Sequence, residues 1–113
     1  MPDDVPFTPV GPVAALVKGH PLALRVAGRA VMLVSLGDQV VCLADCCSHG
    51  ESPLSTGRVR GDKILCPLHG ARFDLRTGRH LSPPATRGVP CYPVRVRDGV
   101  VEVAVPPAAE EPA

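Results

Sequence analysis

The chain has 113 residues, with twelve Lys and Arg against eleven Asp and Glu and a formal charge of +1. That length suits one domain with a modest core, and the near-neutral charge gives no overall electrostatic attraction to nucleic acid. No apolar run is long enough to span a membrane and no secretory segment follows Met1, so no membrane association and a cytoplasmic location are expected.

Residues 1–9 read as a mobile lead-in. Four Val- and Leu-rich strands are expected over Val13 to Val17, Leu22 to Val26, Ala30 to Leu36 and Gln39 to Ala44, divided by short Gly- or Pro-bearing stretches. Gly37-Asp38 reads as a two-residue hairpin turn with Gly first. Short strands follow near Arg58–Arg60, Lys63–Leu65 and Arg72–Asp74, with Gly61-Asp62 as a turn. Asp98-Gly99 closes a last hairpin of Tyr92–Arg97 against Val100–Val105. The proline- and glutamate-rich tail, 106–113, reads as disordered. No helix longer than a turn, no repeat and no linker is expected, so the architecture is all-β. With two Phe, one Tyr and no Trp, the core must be built mainly from Val, Leu and Ala.

Five cysteines without a signal peptide point to a reducing compartment, not to a disulfide framework. Cys47 and His49 form a C-x-H knuckle, and Cys66 and His69 a C-x-x-H knuckle. Two loops that each offer one thiolate and one imidazole can grip a compact inorganic centre from two sides. A [2Fe–2S] cluster held by two Cys on one iron and two His on the other has this donor set. Structural zinc sites of the Cys₂His₂ type place both sulfurs on one knuckle and both imidazoles on the other. The spacing therefore favours the cluster, with a zinc-stapled structural module as an alternative. Cys42 falls in an apolar strand and reads as a buried, inert thiol. Cys91 is expected to fill an apolar slot. Cys46 adjoins Cys47, but the C-x-H spacing selects Cys47.

The run from Cys47 to Gly57, the run from Cys66 to Asp74 with Thr77-Gly78, and Pro83-Pro84-Ala85 resemble the two cluster loops and the covering proline loop of Rieske-type [2Fe–2S] ferredoxins, the ferredoxin components of bacterial ring-hydroxylating dioxygenase systems. The resemblance spans roughly residues 10–105. It implies the Rieske fold: an antiparallel β-sandwich base with a small inserted cluster-binding subdomain, here about 45–83. It also implies that one [2Fe–2S] cluster is held by Cys47, His49, Cys66 and His69. Gly50 and Gly70 would let backbone N–H groups approach it, while Pro83 and Pro84 would shield it. Ala71 and Phe73 stand where high-potential relatives carry hydrogen-bond donors, and Ser52 and Leu68 where those relatives have a disulfide. A low potential, roughly −150 mV, is therefore expected.

Four histidines, two of them assigned to the cluster, leave too few for a second, mononuclear iron site. There is also no room for a catalytic domain, and no Gly-rich dinucleotide fingerprint. His20 and His80 read as surface residues. The resemblance thus implies an electron-transfer component and not an enzyme. It would take one electron from a flavin-containing, NAD(P)H-dependent reductase and pass it to a terminal oxygenase of aromatic hydrocarbon catabolism. A monomer is expected of such a carrier. A second alternative is the small Rieske subunit of an assimilatory nitrite reductase. Residues 58–97 carry nine Lys or Arg against Asp62 and Asp74, which reads either as scattered solvated charge or as a basic patch that steers an acidic partner.

Overall fold

The structure, a computed structural model, describes residues 5–46, 53–66, 70–81 and 88–106. Among the described residues, ten strands form three antiparallel sheets. The first sheet contains β1 (Thr8–Pro12), β9 (Val94–Arg97) and β10 (Val100–Val103), ordered β1-β10-β9. The second contains β2 (Leu22–Val26), β3 (Arg29–Ser35), β4 (Val40–Ala44) and β8 (Cys91–Tyr92), ordered β2-β3-β4-β8. The third is β5 (Arg58–Arg60), β6 (Lys63–Leu65) and β7 (Arg72–Asp74), inserted in the chain between β4 and β8.

Strand alternation explains how the three sheets stack. Successive side chains of a strand point to opposite faces. On β3, Val31 and Leu33 enter one core while Met32 and Val34 enter another. On β4, Cys42 joins the first group, and Val41 and Leu43 the second. The middle sheet is therefore covered on both faces, and β3 reads as a continuous apolar run. One core joins it to Val101, Val103 and Val105 at the first sheet. The other joins it to Leu54, Ile64, Cys66, Ala71, Phe73, Leu75 and Val89. Phe73 is fully buried, which contributes roughly 1.5–3 kcal/mol. The second core is what seats the inserted sheet on the base.

Hairpin turns follow their residues. Asp98 and Gly99 both have positive φ, 52° and 77°, as do Ala27 and Gly28 at 54° and 83°. Both pairs match the tight turn whose twist suits a two-residue hairpin. Ala27 carries a Cβ in the left-handed region, and the Arg25 guanidinium donates to the Gly28 carbonyl at 3.2 Å across that turn. Gly37, with φ 94°, begins its turn as expected, and Leu36 N–H donates to the Gln39 carbonyl.

Three departures from the sequence expectations have local causes. The strand expected at Val13 to Val17 is displaced: Val13–Ala15 is a 3₁₀ turn, and the strand precedes it at Thr8–Pro12. Thr8 and Pro9, placed in the lead-in by the sequence, pair with Val103 and Glu102. Two prolines and Gly11 hid β1, yet it is an edge strand, where a missing N–H is tolerated, and a register shift between Pro9 and Gly11 accommodates them. Finally, the expected Tyr92–Arg97 strand is split at Pro93. Cys91 and Tyr92 pair with β4, and Val94–Arg97 pairs with β10 in the other sheet. Among the described residues there is no helix long and apolar enough to cross a membrane.

Candidate metal centre

Cys66 follows β6 directly and is 2% exposed. Its backbone N–H donates to the Ala71 carbonyl at 2.7 Å, and its carbonyl accepts the Gly70 N–H at 3.0 Å. These bonds close a short loop whose two ends are fixed. Gly70 has φ 72°, a conformation that favours glycine. Ala71 and Phe73, beyond the loop, are fully buried in the core that also holds Cys66. Neither side chain can donate a hydrogen bond. Phe73 also pairs across the backbone with half-buried His80.

The first loop is closed by a carboxylate. Asp45 lies just past β4, and Ser55 sits in the 3₁₀ turn Leu54–Thr56. Asp45 Oδ1 accepts the Ser55 N–H at 2.7 Å, and Oδ2 accepts the Ser55 hydroxyl at 2.6 Å. Hydrogen bonds to an ionised acceptor are the stronger kind. Leu54, next to Ser55, is fully buried beside Cys66 and Ala71. Both loops are thus rooted in one core. Gly57 then passes so close to β6 that a Cβ on it would lie 2.0 Å from the Leu65 carbonyl oxygen.

A third closure lies at Gly78. Val89 N–H donates to the Gly78 carbonyl at 2.8 Å, and a Cβ on Gly78 would lie 2.2 Å from the Val89 oxygen. Asp74 organises the approach, since its Oδ1 accepts the Arg76 N–H at 2.7 Å and the Thr77 N–H at 3.3 Å. The segment from 79 to 88 is therefore held at its base.

Of the eleven site residues expected from sequence, the structure describes Cys66, Gly70, Ala71 and Phe73 and brings them together. Cys47, His49, Gly50, Leu68, His69, Pro83 and Pro84 lie outside the described residues, as does Ser52. Sequence reasoning missed the Asp45–Ser55 clasp, because the two residues are ten apart and no local motif links them.

The remaining thiols differ from one another. Cys42 is fully buried, and desolvation pushes its thiol up to about 12 from 9.0, with a smaller effect from Cys91. This is the inert thiol the sequence implied. Cys91 corrects its expectation, because it is exposed and does not fill an apolar slot. Its Sγ lies 3.6 Å from the Arg76 carbonyl, and its pKa is raised by desolvation first and by the Asp74 charge second. Cys46 is exposed. His20 is exposed in its turn, as expected.

Several basic residues of the 58–97 stretch are neutralised. Lys63 pairs with Asp62 at 3.1 Å, and Arg76 with Asp38 at 3.3 Å and Asp62 at 3.7 Å. Arg76 also donates to Gln39. The bond from Arg76 holds the Asp38 carboxyl below the usual range, and the bond from Lys63 does the same for Asp62. Arg95 pairs with Glu102 at 2.5 Å and lies over the Phe7 ring at 4.1 Å. Arg58 and Arg60 instead line a cavity of about 430 Å³ together with Thr56, Gly57, Leu65, Cys66 and Gly70.

A buried, disulfide-free thiol at the foot of a closed loop, with a second closed loop rooted in the same core, fits a group carried between loops at the end of a β-sheet domain. The chain belongs to the Rieske family: the model of the Rieske [2Fe–2S] domain matches residues 7–93. It is 40% identical over 98 residues to the anthranilate 1,2-dioxygenase ferredoxin subunit of Burkholderia cepacia, covering 86% of this chain and 90% of that one. Among solved structures it is similar to the ferredoxin of carbazole 1,9a-dioxygenase from Nocardioides aromaticivorans IC177 (TM-score 0.81, 39% identity, 86% of this chain and 97% of that one). It is also similar to a chain in the complex of reduced oxygenase and oxidised ferredoxin in carbazole 1,9a-dioxygenase (TM-score 0.82, 32% identity, 89% and 94% covered). The all-β Rieske fold and a Rieske [2Fe–2S] cofactor are thereby established for this chain.

Proposed function

We propose that this chain is the ferredoxin component of a ring-hydroxylating oxygenase system, a one-electron carrier and not itself a catalyst. In this reading it works as a cytoplasmic monomer, which takes its electron from a flavin-containing, NAD(P)H-dependent reductase and gives it to a terminal oxygenase. Cys47, His49, Cys66 and His69 hold the cluster, which supplies a one-electron couple when bound. Gly50, Leu68, Gly70, Ala71 and Phe73 shape its immediate surroundings, and Pro83 and Pro84 cover it. The cluster-binding part spans about 45–83, between a lead-in and a tail.

The observation that carries the reading is the burial of Cys66 in a core shared with both loop bases. A cysteine whose backbone is held by the Ala71 and Gly70 hydrogen bonds is placed before any ligand arrives, so little ordering cost falls on binding. The names of two relatives support the same role, since the anthranilate and carbazole dioxygenase proteins cited above are both ferredoxins of dioxygenase systems. Ala71 and Phe73 contribute only apolar surface, in keeping with a low potential.

The test is reconstitution. The purified chain is combined with a flavoprotein reductase and a terminal oxygenase from one ring-hydroxylating system, with NADH and an aromatic substrate. The reading predicts product formation that stops when this chain is omitted. Unchanged turnover when the chain is omitted would contradict the reading.

A further inference from the structure

Strand β5 carries Arg58, Val59 and Arg60. Alternation sends Val59 against the core that holds Cys66, so Arg58 and Arg60 share the opposite, outer face. Both are exposed, and β5 is the edge of its sheet. Among the described residues neither guanidinium has a hydrogen-bond or ion-pair partner, unlike Lys63, Arg76 and Arg95. The described lining of their cavity contains no acidic residue and includes Cys66 and Gly70.

Two unneutralised guanidinium groups beside a concave surface concentrate positive potential there. Each presents a planar fork of donors that matches a carboxylate. Arginine on an edge strand also discourages strand pairing, but that role calls for no cavity and no position next to Cys66.

We infer that the Arg58–Arg60 cleft is a docking anchor for Asp and Glu side chains on the surface of the protein that exchanges electrons with this chain. The inference rests on the electron-carrier reading above and adds the polarity of the contact: basic on this chain, acidic on the partner. A carboxylate seated between Arg58 and Arg60 places the partner's surface beside Cys66 and Gly70.

Two measurements on the cluster-loaded protein test it at about 10 mM ionic strength, where screening is weak. The first is fluorescence anisotropy with a labelled decaglutamate peptide. The second is stopped-flow oxidation of the dithionite-reduced protein by Co(EDTA)⁻ and, separately, by hexaamminecobalt(III). Each reaction moves one electron from the protein to Co(III), which leaves Co(II). The expected result is peptide binding that weakens about tenfold or more in Arg58→Glu/Arg60→Glu. An intermediate loss is expected in Arg58→Gln/Arg60→Gln, and none in Arg97→Glu, which lies on a different sheet. The anionic oxidant should slow with added salt and the cationic one should speed up, with both trends reversed in the double Glu variant. Equal peptide binding by the parent and both double variants, or equal loss in Arg97→Glu, overturns the inference while the carrier reading stands. Failure of both cobalt complexes to oxidise the reduced protein overturns the carrier reading, and the inference with it.

Discussion

Asp45 and Ser55 are joined twice: one carboxylate oxygen accepts the Ser55 backbone N–H at 2.7 Å and the other its hydroxyl at 2.6 Å. A single side chain thus ties together the two ends of the segment proposed as the first cluster loop. Asp45→Ala should leave the Ser55 groups unsatisfied and cost about 1–3 kcal/mol. Ser55→Ala keeps the backbone bond and should cost less. Thermal unfolding and iron content per chain check this, with both expected to fall further for Asp45→Ala than for Ser55→Ala. Parent-like iron content and midpoint in Asp45→Ala would refute the clasp's role.

Gly57 and Gly70 should respond differently to alanine. A Cβ on Gly57 would lie 2.0 Å from the Leu65 oxygen, which belongs to the backbone of β6 and cannot swing aside. Gly57→Ala should therefore part β5 from β6 and cost more than about 4 kcal/mol. A Cβ on Gly70 would meet no described residue within 4 Å, but its φ is 72°, so Gly70→Ala should cost only about 1–2 kcal/mol. Urea unfolding ranks the two, and the reverse order would refute the packing described here.

Phe73 links stability to redox tuning. Phe73→Ala empties a fully buried site in the core that contains Cys66 and should cost about 3–5 kcal/mol. Ala71→Ser and Phe73→Tyr each add a donor to the same core. A donor that reaches a cluster sulfur favours the more negative, reduced state, so the potential should rise. Voltammetry of the adsorbed protein decides. A potential that stays level or falls in both variants would contradict the account.

Cys42 gives a pH signature. Its thiol is raised to about 12 in the fold from an ordinary 9.0. Below pH 9 both states keep the proton, so this group produces no pH dependence. Above it the unfolded chain loses a proton that the folded chain retains, so stability falls as pH rises toward 12. The difference in unfolding free energy between the parent and Cys42→Ala should therefore shift toward the variant between about pH 7 and about pH 10.5. A difference that does not move would show that Cys42 titrates normally in the fold.

The inserted sheet was fully legible in the sequence. Arg58–Arg60, Lys63–Leu65 and Arg72–Asp74 carry short alternating patterns bounded by Gly and loop residues, and all three strands form where expected. Strand β1 was not legible, because Pro9, Gly11 and Pro12 are poor strand formers and only pairing with β10 holds them extended. Pro93 concealed a change of sheet inside one apparent strand, since a pattern of period two does not say which neighbour a strand will find. The proposed ligand motifs rest on residue type and spacing alone, and of their four residues the structure describes Cys66. The clasps that fix the loops were not legible, as Asp45–Ser55 and Gly78–Val89 depend on contacts between distant segments.

The most direct test of the central claim is the content of iron, acid-labile sulfide and zinc in anaerobically purified protein, with an EPR spectrum after dithionite reduction. The account predicts two irons and two sulfides per chain, with the low average g value of a histidine-ligated cluster. His49→Cys or His69→Cys should move the spectrum toward that of an all-cysteine centre. One zinc and no sulfide in material never exposed to air would contradict it.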